Sequence, residues 1–195
     1  MLLSAKIIFK GKASDTVKEY YKNNINNSKT RRLGKNWKNK NTGKTEFISG
    51  YILNNKNKIT QEIDISQSFK IVMKFMLNQD CNTQPIPNFH ILDHNSSNVF
   101  STSPKIKEKD FNQQGLYKCE CQIPGRFFNN GIFYIDLALT FIDKGVDISF
   151  YHKTALTFTI VDPIEETLYT ERNGYANSYP GPLRPRLEWK TEKES

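Results

Sequence analysis

No apolar run in the 195-residue sequence approaches the roughly 20 residues that a membrane span requires. No secretory leader is expected either, because Leu2 and Leu3 are followed at once by Ser4, Ala5 and Lys6. Cysteine is scarce. There are three, Cys81, Cys119 and Cys121, and the last two form a C-x-C whose members would share one face of a strand. An odd count argues against a disulfide framework and fits a reducing compartment. No further ligand cluster accompanies these thiols, so they read as packed strand residues rather than a zinc site. The three histidines, His90, His94 and His152, show no metal-ligand spacing. No metal or cofactor is expected. No G-x-S-x-G is present, and the carboxylates are scattered, so nothing favours a catalytic site. The TGKT at 42–45 fails as a phosphate-binding loop. Lys38 stands where such a loop needs its first Gly, and a strand follows where a helix should hold the phosphates.

What the chain does hold is aromatic. Thirteen Phe and nine Tyr, with many β-branched residues, favour strands and suffice for a core. The net charge of +8 is unevenly placed. Residues 1–43 carry eleven Lys/Arg against two Asp/Glu, residues 44–162 are neutral, and residues 163–195 carry −1. A basic nucleic-acid-binding face is therefore not expected on the core, and nucleic acid is not an expected partner.

The hydrophobic pattern divides the chain into four parts. Residues 1–22 read as a strand (Ile7, Ile8, Phe9), a turn at Gly11 and a short helix capped by Ser14. Residues 23–43 read as a basic linker rich in Asn and Lys. From 44 to 162, period-2 runs predict strands over 45–53, 69–77, 88–93, 98–102, 116–123, 131–141, 147–152 and 155–161, separated by Gly, Pro and Asn turns. Some eight strands at this spacing predict an all-β, antiparallel β-sandwich of immunoglobulin-like or jelly-roll type. Residues 163–195 read as an irregular tail with Pro180, Pro182 and Pro185.

Alternation also nominates a binding face. In the 131–141 run, Phe133, Ile135, Leu137, Leu139 and Phe141 point inward, which turns Tyr134, Asp136, Ala138 and Thr140 outward. The same rule turns His90, Lys70, Lys74, Lys118, Glu120 and Tyr151 outward. Rings suit the C–H face of a pyranose, while charged and amide groups suit its hydroxyls. An ordinary solvated sheet face carries similar residues. Tyr134, His90, Lys74, Asp136, Lys70, Tyr151, Lys118 and Arg126 are the candidate carbohydrate-binding residues. If the bound sugar carried an anionic group, Lys70, Lys74, Lys118 and Arg126 would be the candidates to read it.

Three stretches resemble a known family. KIIFKGKASDTVKEYY resembles the closing strand-turn-helix of ABC-transporter ATPase domains, with Ala5 at the usual first Gly. PNFHILDHNSSNVFSTSP, CQIPGRFFNNGIFYIDLAL (Asn130 where Pro is usual) and YHKTALTFTIVDP resemble the C-terminal domain of the ATPase subunit of O-antigen ABC exporters, the Wzt type. GPLRPRLEW resembles that family's terminal motif through Gly181, Leu183 and Trp189. The resemblance implies the end of a larger ATPase subunit, with 1–22 as the stub of an upstream ATPase domain. It implies recognition of the non-reducing, sometimes capped, end of lipid-linked O-antigen polysaccharide. The implied place is the cytoplasmic face of the bacterial inner membrane, beside the transporter's membrane subunit. It further implies a homodimer with exchanged terminal strands, which would give Leu183–Trp189 a structural role. The ATPase itself is not expected within this chain. The alternative reading is a dimerisation or structural β-sandwich with no glycan ligand.

Overall fold

The computed structural model describes residues 43–105, 111–142, 145–163, 172–175, 177 and 179–194. The expected stub at 1–22 and all but the last residue of the basic linker lie outside them. Among the described residues there is no helix, and eight strands follow in order. They are β1 (Thr45–Leu53), β2 (Glu62–Asp64), β3 (Phe69–Leu77), β4 (Pro85–Leu92), β5 (Asn98–Thr102), β6 (Gly115–Ile123), β7 (Gly131–Ile142) and β8 (Val146–Val161). They form two sheets, β1-β3-β6 and β2-β8-β7-β4-β5. All pairings are antiparallel except β2 with β8. This is the expected all-β sandwich.

The core follows from alternation. Phe69, Ile71, Met73, Phe75 and Leu77 of β3 are buried, as are Phe133, Ile135, Leu137, Leu139 and Phe141 of β7. Aromatic rings mesh at the centre. Phe128 and Phe133 have centroids 4.6 Å apart, and Phe158 lies 5.2 Å from Phe69 and 5.3 Å from Phe133. Burying one such ring stabilises the fold by about 1.5–3 kcal/mol. A second group surrounds His152, whose buried ring lies 4.8 Å from Phe47 and 5.2 Å from Phe150.

Four features depart from the sequence expectations. The strand β2 was not anticipated, because three residues, Glu-Ile-Asp, carry too little period to register. Val72 points outward by alternation yet is fully buried, since its register neighbours Tyr51 and Glu120 are long enough to close over it. β4 starts at Pro85 rather than at 88. Pro85 and Pro87 pair with β7 but lie beyond the β5 ladder, which begins at Phe89, so their missing donors interrupt no bond to β5. The two strands expected at 147–152 and 155–161 are one, β8. Its register against β7 slips by two residues between Ile135↔Leu156 and Leu137↔His152. Thr154 sits there with φ of 48°, the left-handed conformation that a bulge permits.

The turn after β6 ties distant segments together. Arg126 N–H donates to Ile65 O (2.7 Å), and a Cβ built on Gly125 would lie 2.1 Å from Ser66 O. The C-terminal segment docks on the next residues. Asn129 donates from its side chain to Tyr179 O (2.7 Å) and Gly181 O (2.8 Å), and from its backbone to Pro182 O (2.9 Å). Leu183 bridges Phe128 and packs on the core of its own chain. Beneath this segment, the fully buried Asp162 carboxylate accepts from Arg172 and from Arg184 (2.8 Å). Both guanidinium groups lie 5.1 Å from the Tyr179 ring centroid.

Asp162→Ala would strand the Arg172 cation, which is only 1% exposed, and should cost about 3–5 kcal/mol in urea unfolding followed by far-UV circular dichroism. Gly125→Ala should cost roughly 1–3 kcal/mol by the same measurement, because the new methyl meets backbone rather than a movable side chain.

Candidate functional site

The eight nominated residues fall into three places. Tyr134, His90, Asp136 and Tyr151 come together on the outer face of the five-stranded sheet. Register sets this, since His90 pairs with Asp136 and Ala138 pairs with Tyr151. Lys70, Lys74 and Lys118 lie on the outer face of the three-stranded sheet, across the sandwich. Arg126 sits in the turn after β6 with φ of 56° and joins neither group.

On the five-stranded face the polar side chains form two hydrogen-bonded groups that meet through the ring contact of His90 with Tyr151. Tyr151 O–H donates to Asp136 Oδ2, and Thr154 N–H donates to Asp136 Oδ1, both at 2.6 Å. Asp136 is therefore buried (4% exposed) rather than turned to solvent, and it anchors the β8 bulge. The Tyr151 ring lies 5.5 Å from the His90 ring, tilted by 57°. His90 contacts Ser101 Oγ through Nδ1 (2.7 Å) and Asn88 Oδ1 through Nε2 (3.0 Å). The Asn88 amide donates to Ile86 O (3.0 Å) and Thr140 Oγ1 (3.2 Å), which leaves its oxygen to face the imidazole. His90 Nε2–H thus donates to Asn88 Oδ1. Ala138, between Asn88 and Tyr151 in register, forms a low floor among these taller groups.

The sequence reading missed Asn88 and Ser101. The signal for Asn88 was available, since it stands two residues before His90 on the same strand face. Ser101 required the β4–β5 register, His90↔Ser101, to be known.

The three-stranded face is electrostatically different. Glu120 pairs with Lys118 and with Lys70 (3.6 Å), and Lys70 also donates to Asn57 Oδ1 (3.3 Å). The hydrogen bond from Lys118 holds the Glu120 carboxyl below its usual range and raises the Lys118 ammonium. The Lys74 ammonium has no hydrogen-bond or ion-pair partner among the described residues. One carboxylate therefore offsets part of the positive field of the three lysines that was expected to read an anionic cap. The thiol form of Cys119 and Cys121 is favoured over the nucleophilic thiolate. Burial pushes Cys119 up to about 12 and raises Cys121 as well. Among the described residues no group of three or more His, Cys, Asp or Glu could hold a metal ion.

The sequence profile of the Wzt C-terminal domain matches residues 38–174, which include every strand described above. The chain belongs to the Wzt C-terminal domain family. It is thus of the kind found as a domain of the ATP-hydrolysing subunit of ABC exporters. Among solved structures, it is similar to one described as the crystal structure of the C-terminal domain of Wzt. The TM-score is 0.59 with 9% identity, covering 77% of this chain and 86% of that one, a likeness of fold. No curated protein matches the sequence. No helix among the described residues is long and apolar enough to cross a membrane.

Burial, then the Asp136 carboxylate, pushes the Tyr151 phenol up to about 12 from an ordinary 10. A proton held more tightly in the fold contributes stability that is full below pH 10 and lost as pH rises towards 12. NMR of ring-labelled tyrosine should therefore find Tyr151 still protonated at about pH 11, one unit below that value. Asp136→Asn should bring it part of the way back, since burial remains.

Proposed function

We propose that this chain is the substrate-recognition domain of an O-antigen ABC exporter. In this reading it binds the non-reducing end of a lipid-linked polysaccharide at the cytoplasmic face of the inner membrane. The observation that carries the reading is the outer face of the five-stranded sheet. The paired His90 and Tyr151 rings lie there with Asn88, Ser101, Thr140 and Asp136, beside Tyr134. A pyranose needs such a surface: rings for its C–H face and fixed neutral donors and acceptors for its hydroxyls. Tyr134, His90 and Tyr151 would touch the sugar, and Asp136 would hold Tyr151 in place. Lys74, with Lys70 and Lys118 alongside, would serve only for an anionic cap read on the opposite face. Arg126 would stand apart from both.

Nucleotide hydrolysis would belong to the upstream domain of the subunit, and transport to its membrane partner. Leu187 and Trp189 are 65% and 89% exposed, which supports pairing with a second copy through the tail. A dimerisation module without a glycan ligand is the competing reading, favoured by the same two residues.

Calorimetric titration with the O-polysaccharide of the source organism separates the two. Binding in the millimolar to micromolar range, about −4 to −8 kcal/mol, is expected for an open hydrated site. It should disappear when the non-reducing terminus is removed, and Tyr134→Ala should weaken it at least tenfold. Absence of binding to intact chains would leave the dimerisation reading.

A further inference from the structure

At one end of the sandwich an open cleft of about 500 Å³ lies between the start of β1, the β3–β4 loop and the start of β8. Lys44, Asp80, Asn82, Thr83 and Asp147 line it, with the Phe141 ring. Its size falls within the range of small-molecule sites. The walls are fixed by bonds between distant segments. Asn78 N–H donates to Lys44 O (2.8 Å), Cys81 N–H to Asn112 O (2.7 Å), and Gln114 N–H to Asp80 Oδ1 (2.7 Å). Ser149, which lines the cleft, shares a hydroxyl–hydroxyl bond with Thr45, and both are buried.

The side chains of Lys44, Asn82, Thr83 and Asp147 have no hydrogen-bond or ion-pair partner among the described residues. An ammonium, an amide, a hydroxyl and a carboxylate thus line one cleft with their bonding capacity unused among the described residues. Two carboxylates against one cation disfavour a phosphate or a carboxylated ligand. A largely polar lining disfavours a lipid chain. Such a lining suits a neutral or amino sugar, whose hydroxyls donate to carboxylates and accept from the amide and ammonium.

We infer that this cleft takes the terminal sugar residue of the glycan, while the outer sheet face contacts the residues behind it. The inference rests on the glycan reading above. β7 runs past both places, with Thr140 in the polar network of the outer face and the next residue, Phe141, turned inward to line the cleft. An open face cannot distinguish a chain end from its middle. A cleft that encloses one residue can.

The test is a ¹⁵N NMR titration of the whole chain with methyl glycosides of glucose, galactose, mannose, rhamnose and N-acetylglucosamine, and separately with O-polysaccharide. Saturable shifts at Asp80–Thr83 and Val146–Asp147 are expected with at least one glycoside. They should weaken at least tenfold in Asp147→Asn, whose spectrum elsewhere reports intact folding. Shifts confined to the outer-face residues of β4, β7 and β8 would overturn the cleft and leave the glycan reading standing. No shifts with any glycoside or with polysaccharide would overturn both.

Discussion

One buried carboxylate keeps the longest strand in register. β8 runs for sixteen residues beside β7, yet it holds two more residues than β7 can match between His152 and Leu156. Asp136 resolves the mismatch by accepting the Thr154 amide at the crest of the bulge and the Tyr151 hydroxyl at its edge. A buried carboxylate without such donors would be strongly unfavourable. With them, Phe150 and His152 stay inward on one side of the bulge and Leu156 and Phe158 on the other. The same bonds fix Tyr151 against His90, so core register and the geometry of the outer face depend on one side chain.

The two outer faces divide the chemistry between them. One is an aromatic and amide surface with little charge. The other is a row of lysines held in check by Glu120. The separation has a topological cause. β3 and β6 belong to the small sheet and β4, β7 and β8 to the large one, so lysines and rings that alternate outward in sequence end on opposite sides of the molecule.

That division marks the limit of what could be read in advance. Period-2 alternation correctly placed Phe133 to Phe141 inward and Tyr134 outward, because burial on one side of a strand is a local property. It could not say which outward residues share a sheet, since sheet membership is decided by pairing across dozens of residues. Asp136 shows the second limit. Its position was legible, but its burial depends on a bulge that exists only once Thr154 and Tyr151 have reached it. The joining of the last two expected strands into β8 has the same origin. The contact between Asp162, Arg172 and Arg184 was not legible at all, because scattered charges in an irregular tail carry no period.

The exposure of Trp189 has a practical consequence. The sequence has two tryptophans, Trp37 and Trp189. Only the second is among the described residues, and it stands almost wholly in solvent. The packed interior is built from phenylalanine instead. Emission from Trp189 would therefore report the surroundings of the tail, not the melting of the sandwich. The phenylalanine-rich interior is correspondingly dark to the most common optical probe of unfolding. By the same token, with Trp37 replaced by Phe, a blue shift of that emission on concentrating the protein would be an optical signature of the tail finding a partner.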